Sequence, residues 1–227
     1  MIINCLASGS KGNCYLVKMG SSSFLLDAGI SIEKIVDRIN LNELEFAFIS
    51  HEHKDHSLSS KKLIFRGVKI FGGINIPKGD KDRFLSLFCG DFKMFCFDVE
   101  HGDCKNYGLI VKNAKSDECL LYITDFSLCK FDLSQFKFTN IMVECNFIES
   151  MLPQIGFKER RQINTHMGLE GLQFFLDKLD LTRCKEILLL HLSENYGDNI
   201  IMGSTIFSKY KIRTGVCLQN GGIDYYG

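Results

Sequence analysis

A short segment of the chain is unusually dense in metal-ligating residue types. Residues 51 to 56 include three histidines and two acids: His51, Glu52, His53, Asp55 and His56. The whole sequence has six histidines, so half of them lie in this segment. Imidazole nitrogens and carboxylate oxygens are the ligands that Zn²⁺ and similar ions prefer. This density is not typical of a solvated loop, and it predicts a metal site.

The run ELEFAFIS ahead of this segment is apolar and predicts a buried strand, so His51 lies where a strand ends and a loop begins. Residues 51 and 53 can point to one side, and residues 55 and 56 to the other. One turn could then serve two adjacent metal ions. Two ions need more than these four ligands, and the rest of the chain must supply them.

Further candidates lie at the ends of other predicted strands. Four residues end, or closely follow, such strands: His101, Asp125, Glu144 and His191. Functional sites are usually built on loops at one edge of a sheet scaffold, so these residues are expected to converge. Asp103 and Asn106, just after His101, either support neighbouring ligands or are simple turn residues.

The hydrophobic pattern predicts the elements that must position these residues. Strands are predicted for the segments IINCLAS, CYLVKMG, SSFLLDAG, ELEFAFIS, VKIFGG, FKMFCFDVEH, YGLIVKN, CLLYITD, TNIMVEC, KEILLLHLS and GVCLQNGGIDYY. Helices are predicted over 31–40 with Ser31 as N-cap, over 57–65, over 167–181 and over 197–210. Strands come in runs in each half, followed by helices. This order predicts one α/β domain over 1–227, with two packed mixed sheets and helices outside.

Composition and charge narrow the classes of function. Lysine plus arginine and aspartate plus glutamate number 27 each, so there is no net attraction to a polyanion. The densest basic segment, 157–162, is interpreted as a solvated loop. The sequence shows neither an apolar run long enough to span a membrane nor a signal peptide, and we expect a cytoplasmic location.

The ten cysteines are scattered without a C-x-x-C pair, which predicts reduced thiols, several of them buried.

The motifs resemble the metallo-β-lactamase superfamily. The segment HEHKDH matches its H-x-H-x-D-H motif in full, and the similarity extends across nearly the whole chain. The segments SGSKGNCYLV and LLLHLSENY are similar to the YycJ/WalJ branch. The segments IMVECNF, THMGLEGL and LLLHLSENY are similar to the H-E-A-T-F, G-H-S-T-A and L-T-H-x-S-x-R-Y segments of the tRNA 3′-processing nuclease RNase Z. HGDCKNYGLIV resembles a histidine-to-Y-G-Y segment of both branches.

This resemblance implies an αββα sandwich with a two-metal site. One metal would be held by His51, His53 and His101, and the other by Asp55, His56 and His191, with Asp125 bridging them. Asp55 is also expected to be needed for catalysis. Glu144 and His166 would form an acid/base pair; without the resemblance, His166 would be interpreted as a residue at the start of a helix.

The chain also departs from the family pattern. Val143 replaces the first histidine of H-E-A-T, Met167 and Gly168 replace the Ser-Thr of H-S-T-A, and Ser59 stands where a glycine is usual. These changes leave the expected ligands intact and bear on substrate preference. The sequence has no insertion long enough for the flexible tRNA-binding arm of RNase Z.

The expected function is hydrolysis of a nucleotide phosphodiester bond with two divalent ions, Zn²⁺ or alternatively Mn²⁺. A small cyclic nucleotide is the favoured substrate, because the charge is neutral, the arm is missing, and the anti-Pycsar enzymes of the superfamily resemble RNase Z without its arm. A YycJ/WalJ-like DNA or RNA exonuclease is the alternative, and an acyl hydrolase a remote one. The expected partners are therefore a nucleotide or nucleic-acid substrate and no membrane, with a homodimer left open.

Overall fold

The structure is a computed structural model that describes residues 1–73, 85–153 and 164–227. Its strands form two sheets, one of five strands and one of eight. The basic segment 157–162 lies outside the described residues. None of the helices in the described ranges combines the length and apolarity needed to cross a bilayer.

The first sheet is built from the N-terminal part of the chain. Its strands are β1 (Ile2–Ala7), β2 (Cys14–Met19), β3 (Ser22–Leu26), β4 (Leu44–Ile49) and β5 (Ile70–Gly72). They lie side by side in chain order. The first three are antiparallel neighbours, whereas β4 runs parallel to β3 and β5 parallel to β4. The carboxyl ends of β3 and β4 therefore lie at the same edge.

The second sheet follows the order β13-β12-β11-β10-β9-β8-β7-β6. Its strands are β6 (Leu85–Cys89), β7 (Phe92–His101), β8 (Cys104–Asn113), β9 (Cys119–Ile123), β10 (Asn140–Glu144), β11 (Glu186–Leu190), β12 (Arg213–Cys217) and β13 (Ile223–Tyr226). The four from β9 to β12 are mutually parallel and fully paired inside the sheet. The sequences of β9, β10 and β11 are mostly apolar and fully buried, as expected for strands covered on both faces.

The helices are shorter than the hydrophobic pattern predicts. They are α1 (Ile32–Val36), α2 (Lys54–Ser57), α3 (Ser60–Phe65), α4 (Leu169–Leu176) and α5 (Asn199–Tyr210). Ser31 caps α1 as predicted, since its side chain accepts a hydrogen bond from the backbone N–H of Lys34. The predicted helix 57–65 is interrupted because the N–H of Ser59 donates to the carbonyl of Ala28 at 2.9 Å. The predicted helix 167–181 ends at Asp177, after which the last turn tightens to i→i+3 bonds.

Three apolar layers hold these elements together. The layer between the sheets includes Tyr15, Phe24, Phe46, Phe48, Phe92, Met94, Leu109, Tyr122, Met142 and Leu188. A second layer packs α4 and α5 on the outer face of the eight-stranded sheet, and a third packs α1 and α3 on the outer face of the five-stranded sheet. The predicted arrangement of two packed mixed sheets with outer helices is therefore confirmed.

Candidate metal centre and acid/base pair

Strand direction brings the predicted site residues to one edge of the molecule. β7 is antiparallel to β8, which is antiparallel to β9, so β7 points the same way as β9, β10 and β11. His101 ends β7, Glu144 ends β10, and His191 directly follows β11. The loop after β4 brings the H-x-H-x-D-H segment to the same edge. As a result, all six histidines of the chain gather in one cluster.

One group of four side chains can hold a metal ion: His51, His53, His101 and Asp125. Nε2 of His51 lies 2.8 Å from Nδ1 of His53, which is 3.4 Å from Nε2 of His101. Oδ2 of Asp125 lies 3.9 Å from Nε2 of His51 and 3.8 Å from Nε2 of His101. Three imidazole nitrogens and one carboxylate oxygen thus face a common point, a donor set that suits Zn²⁺.

A second group contains Asp55, His56, Asp125 and His191. Oδ1 of Asp125 lies 3.3 Å from Nε2 of His56 and 3.5 Å from Nε2 of His191. Oδ2 of Asp55 lies 3.5 Å from each of the same two nitrogens. The two oxygens of Asp125 therefore face different groups, which is the arrangement expected of a bridging carboxylate. The structure brings together all seven predicted ligands, and their role as ligands stays a prediction.

Without metal, the pKa values of the clustered histidines shift in opposite directions. Burial and the neighbouring His56 lower the pKa of His51 to about 2, so this imidazole is neutral and free to bind a cation. Burial opposes protonation of His191, but the carboxylates of Asp125, Asp55 and Glu144 raise its pKa to about 10. Asp125 is buried too, yet the imidazoles of His191 and His56 hold its pKa well below the usual range. A buried carboxylate that stays ionised among histidines favours cation binding.

Most of the ligand imidazoles are oriented through their second nitrogen. Nδ1 of His101 lies 2.7 Å from the carbonyl of Thr165, and Nδ1 of His51 lies 3.0 Å from Oγ of Ser50. Nδ1 of His56 lies 2.5 Å from Oδ2 of Asp27. Such contacts fix the tautomer and leave Nε2 free for a metal.

Asp27 is an important residue that the sequence interpretation missed. It is fully buried, and its carboxylate accepts hydrogen bonds from the N–H and Oγ of Ser50 and from the hydroxyl of Tyr122. Together with the contact to His56, these bonds connect both sheets beneath the second ligand group. The signal was present, because Asp27 directly follows β3 just as the recognised residues follow their strands.

The turn between β1 and β2 also supports the centre. Oγ of Ser8 accepts a hydrogen bond of 2.9 Å from the N–H of His191, and the N–H of Asn13 donates to the carbonyl of Asp55 at 2.7 Å. Ser8 and Asn13 belong to the SGSKGN segment, which is part of the stretch that resembles the YycJ/WalJ branch. Gly29 allows this close packing, since a Cβ at that position would lie 1.6 Å from the carbonyl oxygen of Asp55.

Three residues at the edge of the molecule that carries the candidate ligands have left-handed backbone conformations, which are uncommon outside glycine. Their φ angles are +54° for Asp27, +49° for Asp125 and +55° for His191. Each directly follows a strand or lies within two residues of its end. Such conformations cost on the order of 1–3 kcal/mol each and persist where surrounding contacts enforce them, typically at functional sites.

Glu144 and His166 form the predicted pair. Nδ1 of His166 lies 2.6 Å from Oε1 of the fully buried Glu144, whose Oε2 accepts hydrogen bonds from the N–H groups of Phe126 and Met167. The ring of His166 stacks on that of His191, with centroids 5.3 Å apart. Burial disfavours the charged imidazole, but Glu144 outweighs it and raises the pKa of His166.

Asp103 and Asn106, which lie shortly after His101, differ in burial and in their contacts. Asn106 is buried, and its Nδ2 donates to the carbonyls of Thr124 and Asp125 at 2.7 and 2.6 Å. Asn106 therefore supports the loop that presents the bridging carboxylate. Asp103 is exposed in the turn between β7 and β8, so it is a turn residue.

No protein-family model matches the chain, and no curated protein matches it in sequence. Solved structures match over nearly its whole length. The metallo-β-lactamase fold protein YhfI from Bacillus subtilis is 19% identical, with a TM-score of 0.71 and 99% of both chains covered. Short-form human tRNase Z is 13% identical, with a TM-score of 0.66, covering 99% of this chain and 98% of its own. A diphosphatase from the PhnP family is 12% identical, with a TM-score of 0.62 and coverages of 99% and 97%. The chain has the metallo-β-lactamase fold.

The departures from the family motifs can now be placed within the metallo-β-lactamase fold. Val143 is a fully buried residue of β10, and Ser59 is buried and donates its hydroxyl to the carbonyl of Ile30 at 2.6 Å. Neither side chain belongs to a ligand group. Met167 and Gly168 lie at the start of α4, next to His166. Val143 directly precedes Glu144, and Met167 and Gly168 directly follow His166, so these departures border the acid/base residues.

Proposed function

We propose that this protein is a two-metal phosphodiesterase that hydrolyses a phosphodiester bond of a nucleotide. The observation that carries the proposal is the combination of two ligand groups sharing Asp125 with a histidine–carboxylate pair beside them. A metal centre alone would suit many hydrolases. The adjoining pair adds a proton donor, which is needed where the leaving group is a poorly stabilised alkoxide.

The donor sets fit zinc, with manganese as an alternative. Each group offers nitrogen and oxygen atoms within 4.8 Å of one another, and histidine-rich sets of this kind suit Zn²⁺. Bound divalent ions of such a centre would lower the pKa of water and offset charge on the phosphate oxygens. His51, His53 and His101 would hold one ion, Asp55, His56 and His191 the other, and Asp125 would contact both.

His166 is the proposed general acid. The carboxylate of Glu144 favours the imidazolium form, so a proton is available on His166 near neutral pH. The Nδ1 atom faces Glu144, which leaves Nε2 to donate the proton to the leaving oxygen. The side chain of His166 is 17% exposed, so it can meet a substrate while its partner stays buried. The pair supplies the proton that the alkoxide leaving group of a nucleotide phosphodiester requires, which supports phosphodiester chemistry.

A small cyclic nucleotide is the proposed substrate, with an exonuclease activity as the alternative. The chain carries no net charge to attract a long polyanion, and the tRNA-binding arm has no counterpart in the sequence. The fold is shared with a tRNase Z and with a PhnP-family diphosphatase, so it accommodates both large and small phosphate substrates. Hydrolysis of 3′,5′-cyclic mononucleotides should be compared with that of labelled single- and double-stranded DNA and RNA, each with Zn²⁺ and Mn²⁺.

Two histidine variants test the mechanism. His166→Ala should keep its metals and slow cleavage of a natural phosphodiester by roughly 10²–10⁴-fold, the range for a lost general acid. The loss should shrink with bis(p-nitrophenyl) phosphate, because p-nitrophenolate leaves without a proton. His191→Ala, the matched control, should lower metal content and activity together on both substrates. Equal losses for His166→Ala on the two substrates would rule out its role as the acid.

A further inference from the structure

The helix that follows His166 is capped by a residue from elsewhere in the chain. Its N-cap residue is Gly168, which has no side chain to accept the free N–H groups of the first turn. Oε1 of Glu149 accepts them instead, from Glu170 at 2.9 Å and Gly171 at 3.4 Å. These are the second and third helical positions, whose N–H groups an N-cap side chain normally satisfies. The negative charge also lies at the positive end of the helix dipole.

Glu149 and a side chain at position 168 exclude each other. A Cβ added to Gly168 would lie 2.3 Å from Oε1 of Glu149 and 2.5 Å from the ring of Phe147. The motif that this segment resembles, G-H-S-T-A, has threonine at this position, a residue type that caps helices with its own hydroxyl. In this chain, Gly168 therefore provides no side-chain cap for α4, and the carboxylate of Glu149 provides it instead.

The position of Glu149 is fixed, and it carries an energetic cost. Glu149 begins a single 3₁₀ turn, Glu149–Met151, after Ile148, whose N–H donates to the carbonyl of Tyr196 at 2.8 Å. Among the described residues, its Oε2 is the one buried side-chain nitrogen or oxygen without a hydrogen-bond partner. Leaving a buried oxygen unpaired is unfavourable. The favourable contribution of this side chain therefore comes through Oε1 and the helix start.

The capped helix start is directly connected to the acid/base pair. The N–H of Met167 donates to Oε2 of Glu144 at 3.0 Å, and its carbonyl accepts from the N–H of Asn146 at 2.8 Å. Met167 lies between His166 and the N-cap residue, so a displaced helix start would shift both ends of the His166–Glu144 hydrogen bond. We infer that Glu149 is a positioning residue for His166, acting through the cap on α4. This inference rests on the proposed function only for its effect on catalysis.

Two variants test the inference: Glu149→Ala and Glu149→Gln. Glu149→Ala should lower kcat on the natural phosphodiester about tenfold, since small misplacements of a catalytic group are costly. KM, metal content and the rate on bis(p-nitrophenyl) phosphate should stay within about twofold of wild type, because neither substrate binding nor the metals depend on the cap. Glu149→Gln keeps an acceptor for the N–H groups of Glu170 and Gly171 and should be near wild type.

Asp198→Ala is the matched control, because Asp198 caps α5 by accepting from the N–H of Ile201 at 2.8 Å, and α5 carries no residue of the acid/base pair. It should lower the midpoint of urea unfolding as Glu149→Ala does, without the substrate-dependent loss. Equal losses on both substrates for Glu149→Ala, or a Glu149→Gln variant as impaired as Glu149→Ala, would overturn the inference.

A spectroscopic measurement separates this inference from the proposed function. The downfield proton resonance of the His166–Glu144 hydrogen bond, assigned by its absence in His166→Ala, should broaden in Glu149→Ala and keep its wild-type width in Glu149→Gln. A sharp, unshifted resonance in Glu149→Ala would contradict the positioning role. This readout needs no turnover, so it decides the inference even if the wild-type protein cleaves no phosphodiester, a result that would overturn the proposed function instead.

Discussion

Replacing Asp27 by asparagine should weaken metal binding through the tautomer of a single imidazole. In the native protein Oδ1 accepts from the N–H of Ser50 at 2.7 Å, while Oδ2 faces the Tyr122 hydroxyl at 2.6 Å and Nδ1 of His56 at 2.5 Å. In Asp27→Asn the amide oxygen keeps the bond to Ser50, and the NH₂ group then faces His56. The imidazole must therefore accept at Nδ1 and carry its proton on Nε2, the atom that faces the second ligand group.

The magnitude follows from the contacts that change. Altered partners of a ligand histidine typically cost roughly 10- to 100-fold in metal affinity, and one lost hydrogen bond to a charged group costs about 1.5–3 kcal/mol of stability. Since small domains have about 5–15 kcal/mol of unfolding free energy, the variant should still fold. We therefore expect the metal of the second ligand group, which contains His56, to bind roughly 10- to 100-fold more weakly, with the other little changed.

Competition with a chromophoric zinc chelator measures both affinities, and urea unfolding measures stability. Tyr122→Phe is the matched control, because it removes one hydrogen bond from the same oxygen and leaves the His56 contact in place. It should lose about 1.5–3 kcal/mol of stability while keeping its metal affinity. If Asp27→Asn bound both metals as tightly as Tyr122→Phe does, the proposed role of Asp27 would be wrong.

Three further predictions concern metal content, thiols and pH. Elemental analysis of protein purified without chelator should find about two metal equivalents per chain. Asp55→Ala should preferentially lose the ion of the second ligand group. An active wild-type protein with a single ion would contradict this prediction. Thiol counting under denaturing, non-reducing conditions should find all ten cysteines reduced, and a clearly lower count would indicate disulfides. In the metal-free protein the pKa of His191 is raised to about 10, above its unfolded value, so its contribution to stability is present below about pH 6.5 and lost as the pH rises through 10. Unfolding at several pH values should show this decline only without metal, because a metal-bound imidazole carries no extra proton.

Local sequence was sufficient to predict which strand ends carry the candidate ligands and that these residues converge. His51, His101 and His191 each end or follow an apolar run, and a run of this kind has few alternatives to a buried strand. The order of the strands then predicted two packed sheets with outer helices. Helix bounds were less accurate, since the starts of α3 and α4 are set by distant backbone contacts, from the N–H of Ser59 to Ala28 and from the N–H of Leu169 to Phe147.

The tertiary structure decided which residues support the ligands. Asp27 contacts Tyr122, 95 positions away, and Ser8 contacts His191, 183 positions away. Such contacts depend on how the two sheets pack, and the same residue types occur at many places where they contact only solvent. Glu149 illustrates the point: its sequence neighbours give no sign that it caps a helix beginning 20 residues later, because capping depends on the distance between a carboxylate and two N–H groups in space. Residue type and strand position predicted the candidate ligands, whereas packing across the sheets determined which residues hold them in place.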